Sequence, residues 1–486
     1  MNHNKLIKGF KWSTLGNVGM AIFQLSQIAI LTRFLTKDIF GLVAMAVLVV
    51  NFTNIFVEMG ITSAILHVKK ATKREYSSLY WLSFFISLLL YFIIFILAEF
   101  VSNFYNEPQL TEVVRILGLN IVFIAIGQQF RTMLQKNMEF DKITKVNLLS
   151  YFVSLIVAIL LAYFNFGIYS LIYSTLISSL IASLLFLFLC FSKYPIIIYF
   201  KFKDTKKFLN VGVYSLGSNI LDFFSREIDL IVIGKILSTE SLGVYSLVKQ
   251  ISLKLYSMLM PIIFNVLTPF LTSLNNHKEK MELTFLKIVY YVVNITFPIY
   301  LIIILAAKEI LLILYGEKYQ YAYVTLVCLA IFQANFSLVK PLGSLQIATG
   351  KTNIGFYWTI FRNILTFSML LFINWLGFNT VENIAFSLAT LSVFLLLATW
   401  SVQINNMTDI SFKNYLNQFY KPLIIIIIIS FLKIFILDNL IEFTNHVLTG
   451  LVKIIIGLTF YLFLLLIWDK KQLIKKFNLI LYDKGR

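Results

Sequence analysis

Charge is what this chain has least of. Only 13% of its 486 residues are Asp, Glu, Lys or Arg, while 59% are hydrophobic. A water-soluble domain carries about twice that share of charge, because its surface must be hydrated. A soluble enzyme, a nucleic-acid-binding protein and a disordered chain are therefore excluded. Cysteine is almost missing: Cys190 and Cys328 both sit inside apolar runs, without metal-ligand spacing, and read as small buried or lipid-facing residues. His3, His67, His277 and His446 are scattered through termini and loops, so no metal centre is expected. Gly350-Lys351-Thr352 ends like a phosphate-binding loop, but Leu345 stands where such a loop needs glycine, and nucleotide binding is rejected.

Long apolar runs are plentiful. A bilayer core takes about 20 apolar residues in helix. Runs of that kind fall near 12–35, 39–60, 79–104, 114–134, 146–164 and 168–191. After a Lys-rich break at 192–209 they resume near 211–236, 242–270, 286–307, 319–340, 354–375, 381–403, 421–441 and 447–468. The fold class is an all-α membrane protein of about fourteen helices. The first run follows Lys5, Lys8 and Lys11 but is too long for a signal peptide and lacks a small-residue cleavage site, so it reads as an uncleaved first span.

The 41 basic against 23 acidic residues raise the question of sidedness. Taking both termini and alternate loops as one face places 29 basic residues there and six opposite (Arg33, Lys37, Arg115, Lys235, Lys308 and Lys318). By the positive-inside rule both termini are expected in the cytoplasm.

The chain also repeats itself. A shift of 202 lays Trp12, Ser13, Asn17, Arg33, Leu35, Asp38 and Gly41 on Tyr214, Ser215, Asn219, Lys235, Leu237, Glu240 and Gly243. A shift of 210 lays Glu99, Tyr105 and Glu107 on Glu309, Tyr315 and Glu317. Six helices per repeat fit the charge alternation. The expected organisation is an N-terminal lobe (1–191), a basic cytoplasmic linker (192–209), a C-terminal lobe (210–403) and two further helices with a basic tail (404–486). Two lobes related by an axis along the membrane normal are a transporter architecture, with the substrate site between them.

Charges at membrane depth usually face a cavity or a partner. The seventh run holds the densest set. At 100° per residue Asp222, Arg226 and Asp229 lie within about 60° of one another, with Asn219 bordering them. The repeat-related face of the first run carries Asn17, Gln24 and Gln27. The stripe lines either a central polar cavity or a structural Asp222–Arg226 pair one turn apart. Lys254 and Arg226 lie near mid-helix, too deep to snorkel easily, whereas Lys249 and Arg362 fit a cavity or an interface equally. Glu58, near a cytoplasmic helix end, reads as a salt-bridge partner or gate; Glu227, Lys433 and Lys453 read as structural or snorkelling. An excess of cations at depth suits an anionic substrate, because Arg offers bidentate hydrogen bonds to phosphate oxygens.

Several local strings carry a resemblance. They are Gly127-Gln128-Gln129-Phe130-Arg131 with Gln135-Lys136, Glu139-Phe140 and Lys142; Leu79-Tyr80-Trp81-Leu82; Phe40-Gly41-Leu42; Gly316-Glu317-Lys318-Tyr319; and Pro341-Leu342-Gly343-Ser344-Leu345. Together they resemble the bacterial polysaccharide flippases of the Wzx type, colanic-acid branch, in the multidrug/oligosaccharidyl-lipid/polysaccharide exporter superfamily. The likeness covers nearly the whole chain and weakens after about residue 400. It implies a bacterial plasma-membrane protein with fourteen helices in two lobes. Such a protein carries undecaprenyl-pyrophosphate-linked oligosaccharide to the outer leaflet for O-antigen, capsule or exopolysaccharide, with a polymerase and chain-length machinery as partners.

On this reading Arg226, Lys254, Arg362 and Lys249 contact phosphate or acidic sugar, and Asn17, Gln24, Gln27 and Asn219 line the cavity. Asp222 and Asp229 set the charge balance or bind a coupling ion, and Gln128, Gln129, Arg131 and Glu58 admit or gate substrate at the cytoplasmic side. No cofactor is expected beyond a coupling H+ or Na+, and no nucleic acid. The alternative is a small-molecule drug-cation antiporter of the same superfamily. A membrane glycan polymerase or ligase is disfavoured, because no outer loop is long enough to carry a catalytic site.

Overall fold

A computed structural model describes residues 3–482 apart from 59–61, 63–64, 67, 69–70, 275–276 and 434–445. No strand occurs among the described residues. The helices are α1 (His3–Phe34), α2 (Lys37–Glu58), α3 (Lys73–Tyr105), α4 (Leu110–Lys136), α5 (Phe140–Tyr163), α6 (Tyr169–Phe191), α7 (Phe202–Ile236), α8 (Thr239–Ser273) and α9 (Lys278–Leu305). A short α10 (Ala307–Tyr315) and a 3-10 turn (Glu317–Ala322) lead into α11 (Tyr323–Val339) and α12 (Pro341–Thr349). Then follow α13 (Thr352–Trp375), α14 (Val381–Thr399), α15 (Phe412–Leu416), α16 (Tyr420–Leu432) and α17 (His446–Tyr482).

Eleven helical segments among the described residues are long and apolar enough to cross a membrane, and α16 is a shorter apolar helix. Two further spans were expected where α7 and α8 lie; each is 35 residues, or about 50 Å at 1.5 Å per residue. The chain is thus a multi-pass, all-helical membrane protein.

Local chemistry sets the helix ends. The third span begins at Lys73, six residues before its apolar run, because Thr72 and Glu75 form a reciprocal cap. Glu75 N–H donates to Thr72 Oγ1 at 3.3 Å, and Thr72 N–H donates to Glu75 Oε2 at 2.7 Å. The helix ends on left-handed Asn106 (φ 58°). The position 210 residues on, after α10, is Gly316, also at positive φ (91°). Gly350 (φ 70°) is the left-handed cap of α12, which accounts for the glycine of the Gly-Lys-Thr string.

The described chain forms two compact units: residues 1–247 with 359–381, and residues 248–358 with 382–486. Lipid tails are as apolar as a protein core, so helix association in a membrane rests on close packing and hydrogen bonds. In the first unit α1 meets α5 through glycines: a Cβ on Gly16 would lie 2.8 Å from Thr144 Oγ1, and one on Gly19 2.6 Å from Leu148 Cδ2. Thr144 then donates to the Trp12 carbonyl at 2.9 Å. Near the expected cytoplasmic ends of α3 to α6, Tyr80, Phe130, Leu134, Ile143, Val146, Phe186 and Cys190 share one core, which accounts for that cysteine as a packing residue. In the second unit α9, α16 and α17 meet around Leu301, Leu305, Ile425, Ile429, Tyr461 and Leu465.

The shift of 202 relates contacts as well as residues. Gly41 packs so tightly on the start of α8 that a Cβ would lie 2.0 Å from the Thr239 carbonyl oxygen. Reciprocally, a Cβ on Gly243 would lie 2.0 Å from the Lys37 carbonyl oxygen. Position 37 corresponds to 239 and 41 to 243, so each half of the contact is the image of the other. Lys37 Nζ also pairs with Glu240 Oε1 at 2.9 Å, and Thr239 Oγ1 donates to Glu107.

The basic linker is stitched to the first unit. Lys193 Nζ reaches Glu139 at 2.8 Å, beside Lys142 at 2.7 Å. Asn137 Nδ2 donates to Tyr194 Oη at 2.6 Å. Ser77 and Ser78 each accept a backbone N–H at 3.1 Å, from Ile197 and Lys201, and Trp81 Nε1 donates to the Ile197 carbonyl at 3.1 Å. The hydrogen bonds from Lys142 and then Lys193 hold the Glu139 carboxyl below its ordinary range.

Two predictions follow from these contacts. Gly41→Ala should lower thermal stability in detergent by about 1–3 kcal/mol, the usual cost of overpacking. Gly217→Ala, where nothing lies within 4 Å of the added Cβ, should not. Because folding lowers the Glu139 value, its stabilisation is complete above the ordinary carboxylate range near 4.5 and is lost as pH falls through the lower folded value. Glu139→Gln should therefore cost under about 1 kcal/mol at neutral pH, as befits a solvent-screened pair. Melting curves should show that difference vanish in strong acid.

Candidate functional site

The polar stripe of α7 exists because the neighbouring face of that helix is taken. Phe223 and Phe224 pack against Phe52 of α2, with ring centroids 5.3 and 6.0 Å away. Elsewhere round the helix, Asp222 and Arg226 remain exposed and Asn219 is half-buried. Arg226 Nε donates to the Asp222 backbone oxygen at 3.3 Å. Arg226 lies ten residues from the end of α7, or about 15 Å, roughly half the thickness of a bilayer core.

One turn on, Asp229 has a different environment. It is 8% exposed. Its Oδ2 accepts from the Tyr245 hydroxyl at 2.7 Å, and its Oδ1 from the Leu230 N–H at 2.8 Å. Asp229 thus ties α7 to α8, while Asp222 stays on the open face with Arg226.

Arg362 comes to α7 through its neighbour. Ser225 Oγ donates to Asn363 Oδ1 at 2.7 Å, and Asn363 Nδ2 donates to the Leu221 carbonyl at 3.1 Å. This clamp joins α7 and α13 within the first unit. Arg226 follows Ser225 and Arg362 precedes Asn363, so two cations flank one polar clamp at mid-helix. Lys249 and Lys254 belong to the second unit, where Lys249 is buried and Lys254 half-buried.

The α1 amides reach different partners. Gln27 Nε2 donates to Ser174 Oγ of α6 at 3.2 Å, where Ser154 of α5 also donates to the Ser174 carbonyl. Gln24 is hydrogen-bonded to Tyr151 of α5, which lies within electrostatic reach of Arg131. Asn17 is half-buried two turns earlier on the half of α1 that packs on α5.

At the expected cytoplasmic end of α4, Gln128 Nε2 donates to Thr62 Oγ1 at 3.1 Å, and buried Gln129 donates to the Tyr76 carbonyl at 3.0 Å. Phe130 sits in the core, and Lys136 Nζ donates to the Ile65 carbonyl at 2.7 Å and to that of Val68. Gln128 and Lys136 thus hold Thr62, Ile65 and Val68 between α2 and α3, Gln129 holds the first turn of α3, and Arg131 is exposed. Glu58 ends α2; its side chain lies outside the described residues. Among the described residues no group of three or more His, Cys, Asp or Glu side chains is placed to hold a metal ion.

Sequence reading missed Tyr245, Ser225, Asn363 and Tyr151. Asn363, an amide beside Arg362 deep in an apolar run, carried a usable signal; Tyr245 and Tyr151 did not differ from the other aromatics. Tyr245→Phe should leave the buried Asp229 carboxylate one donor short and cost about 1–3 kcal/mol, read as a lower unfolding midpoint in detergent.

Comparison with known proteins places this geometry. A membrane protein from the cps region of Klebsiella pneumoniae is 27% identical over 86% of each chain. The lipopolysaccharide biosynthesis protein WzxC of Escherichia coli is 24% identical over 86% of this chain and 85% of its own. The teichuronic acid biosynthesis protein TuaB of Bacillus subtilis is 25% identical over 73% of each. Among solved structures, the lipid II flippase MurJ in an inward closed conformation superposes with a TM-score of 0.73 at 16% identity, covering 95% of this chain and 99% of that one. An inward-facing multidrug resistance MATE family transporter of the MOP superfamily gives 0.63 at 16% identity, covering 82% and 100%. At that identity the likeness is one of fold. Residues 30–325, well over half of the chain, match the polysaccharide biosynthesis protein family, and the chain belongs to that family.

Proposed function

We propose that the protein is a flippase that carries lipid-linked oligosaccharide, joined through pyrophosphate to a polyprenyl carrier, from the cytoplasmic to the outer leaflet of a bacterial plasma membrane. The observation that carries this reading is the pair of arginines flanking the Ser225–Asn363 clamp at mid-helix. An apolar bundle keeps such charges only at a cost of about 2.5–3.5 kcal/mol each on insertion scales. A pyrophosphate entering the membrane loses its hydration and needs donors of this kind. Lys254 and Lys249 serve as further cations, and Asn17, Gln24, Gln27 and Asn219 as partners for sugar hydroxyls. Asp222 tempers Arg226, and Arg131 meets the substrate at the cytoplasmic side.

The 29-to-6 division of basic residues supports cytoplasmic termini. The internal repeat supports two lobes, 1–191 and 210–403, that alternate access to the site. The family and its relatives' names support transport in polysaccharide assembly rather than catalysis, with a polymerase and chain-length machinery acting on the product. Transport is driven by an ion gradient or by consumption of that product.

A drug-cation antiporter is the second reading, favoured by the MATE fold likeness. It would need uncompensated carboxylates at depth, whereas Asp229 is already held by Tyr245 and the backbone.

Arg226→Ala and Arg362→Ala should each abolish glycan export while membrane insertion and yield stay normal, with Arg226→Lys partly active. Unchanged export in Arg226→Ala would sink the assignment. Proteoliposomes that exchange drug for protons, indifferent to lipid-linked sugar, would establish the antiporter instead.

A further inference from the structure

The linker between α6 and α7 carries a surface that the transport reading does not use. Residues 192–209 hold five lysines and a single acid, Asp204, around the string Pro195-Ile196-Ile197-Ile198-Tyr199-Phe200. Tyr194 and Ile196 turn inward and pack on the core shared by α3 to α6. The residues that follow turn out. Ile198 is 97% exposed, more than any other large apolar side chain among the described residues, and Phe200 and Phe202 are 49% and 60% exposed. Lys201, Lys203 and Lys206, interleaved with them and just beyond, are exposed as well.

Hydrogen bonds hold the segment in this attitude. Ser77 and Ser78 accept the N–H groups of Ile197 and Lys201, and Trp81 Nε1 donates to the Ile197 carbonyl, each at 3.1 Å. The backbone is thus fixed on both sides of Ile198. Arg74 stands over the Tyr199 ring, 5.5 Å from its centre. A strap bathed in water would be polar where it faces out; exposed apolar side chains rimmed by charge mark an interaction surface.

The level at which the strap is fixed identifies its occupant. Ser77, Ser78 and Trp81 stand where the apolar run of α3 begins, and the strap leaves α6 directly after Phe191. Phe188 and Phe191 at that end of α6 are exposed, as is Phe85 of α3, which stacks on Trp81 at 5.9 Å. Exposed apolar side chains therefore end both spans and continue along the strap, where the lysines begin. Aromatic residues at span ends with lysines just beyond them are the pattern of a membrane–water interface. The excess of lysine over acid selects the lipid: a zwitterionic headgroup offers no net charge, whereas an acidic one does.

We propose that the linker is an interfacial strap that binds anionic phospholipid. Ile198, Phe200 and Phe202 enter the leaflet beside the ends of α3 and α6, and Lys201, Lys203 and Lys206 meet the lipid phosphates. Each lysine close to an anionic leaflet raises affinity about fivefold. The strap runs straight into α7, whose Phe208 is buried with Ile65 and Leu79, so lipid bound there steadies the start of the helix that bears Arg226.

The test needs no glycan, so it stands or falls apart from the flippase reading. Cys190 and Cys328 are replaced by alanine, and Ile198→Cys is labelled with a bimane maleimide. The protein is then placed in nanodiscs of phosphatidylcholine and phosphatidylglycerol in equal amounts, with one lipid or the other brominated on its acyl chains. Bromine quenches at close range, so each disc reports which lipid lies against residue 198. Brominated phosphatidylglycerol should quench about threefold or more strongly than brominated phosphatidylcholine. Lys201→Gln, Lys203→Gln and Lys206→Gln together should bring the two to parity while elution and melting stay unchanged. Ile96→Cys, at an exposed position within the apolar run of α3, should show parity from the outset. Three results would each overturn the proposal: quenching of residue 198 by aqueous iodide and by neither lipid, parity there before any lysine is changed, or a preference that outlives the three lysines.

Discussion

The constraint on which this structure depends is that its surroundings are as oily as its interior. Burying a leucine between two helices gains little when lipid would cover it as well, so the helices are held by closeness and by polar bonds. Glycines on α1, α2, α4, α8 and α17 let backbones approach to distances that a single added carbon would break. Between them stand short hydroxyl and amide bridges: Thr144 to Trp12, Gln27 to Ser174, Ser225 to Asn363. The same constraint makes each charge at depth a statement. Asp229 accepts from Tyr245 and Glu309 from Lys453, while Arg226 is exposed and donates to the Asp222 carbonyl.

Polar residues close together in the sequence meet quite different surroundings. Asp222 and Asp229 fall on one stripe by angle, yet Tyr245 takes the second carboxylate into the α7–α8 contact and leaves the first with Arg226. Gln128 and Gln129 are neighbours in one string, yet Gln128 reaches Thr62 after α2 and Gln129 the Tyr76 carbonyl of α3, whereas Arg131 beside them is exposed.

Much of the fold was legible because a bilayer imposes a length. The apolar runs located the spans and the alternation of lysine supplied their expected sense. The early start of α3 was hidden, since Lys73, Arg74 and Glu75 dilute the hydropathy of a turn that capping makes helical. The break between α9 and α10 was hidden as well, because apolar residues run through it without a pause. At the site, the α7 stripe could be read from its spacing alone. Its clamp could not, because Asn363 lies more than a hundred residues from Ser225 and only tertiary packing joins them.

The reciprocal contact of Gly41 with Thr239 and of Gly243 with Lys37 has a consequence for how such a chain can change over time. A duplicated sequence is normally free to diverge, one copy drifting while the other keeps the old role. Here the two copies meet at one point, each supplying the space that the other's backbone occupies. A side chain gained by either glycine cannot be answered by a smaller residue across the gap, since the obstacle there is a backbone carbonyl that every residue carries. The two halves are therefore tied to a common history at this crossing, however far the helices around it diverge.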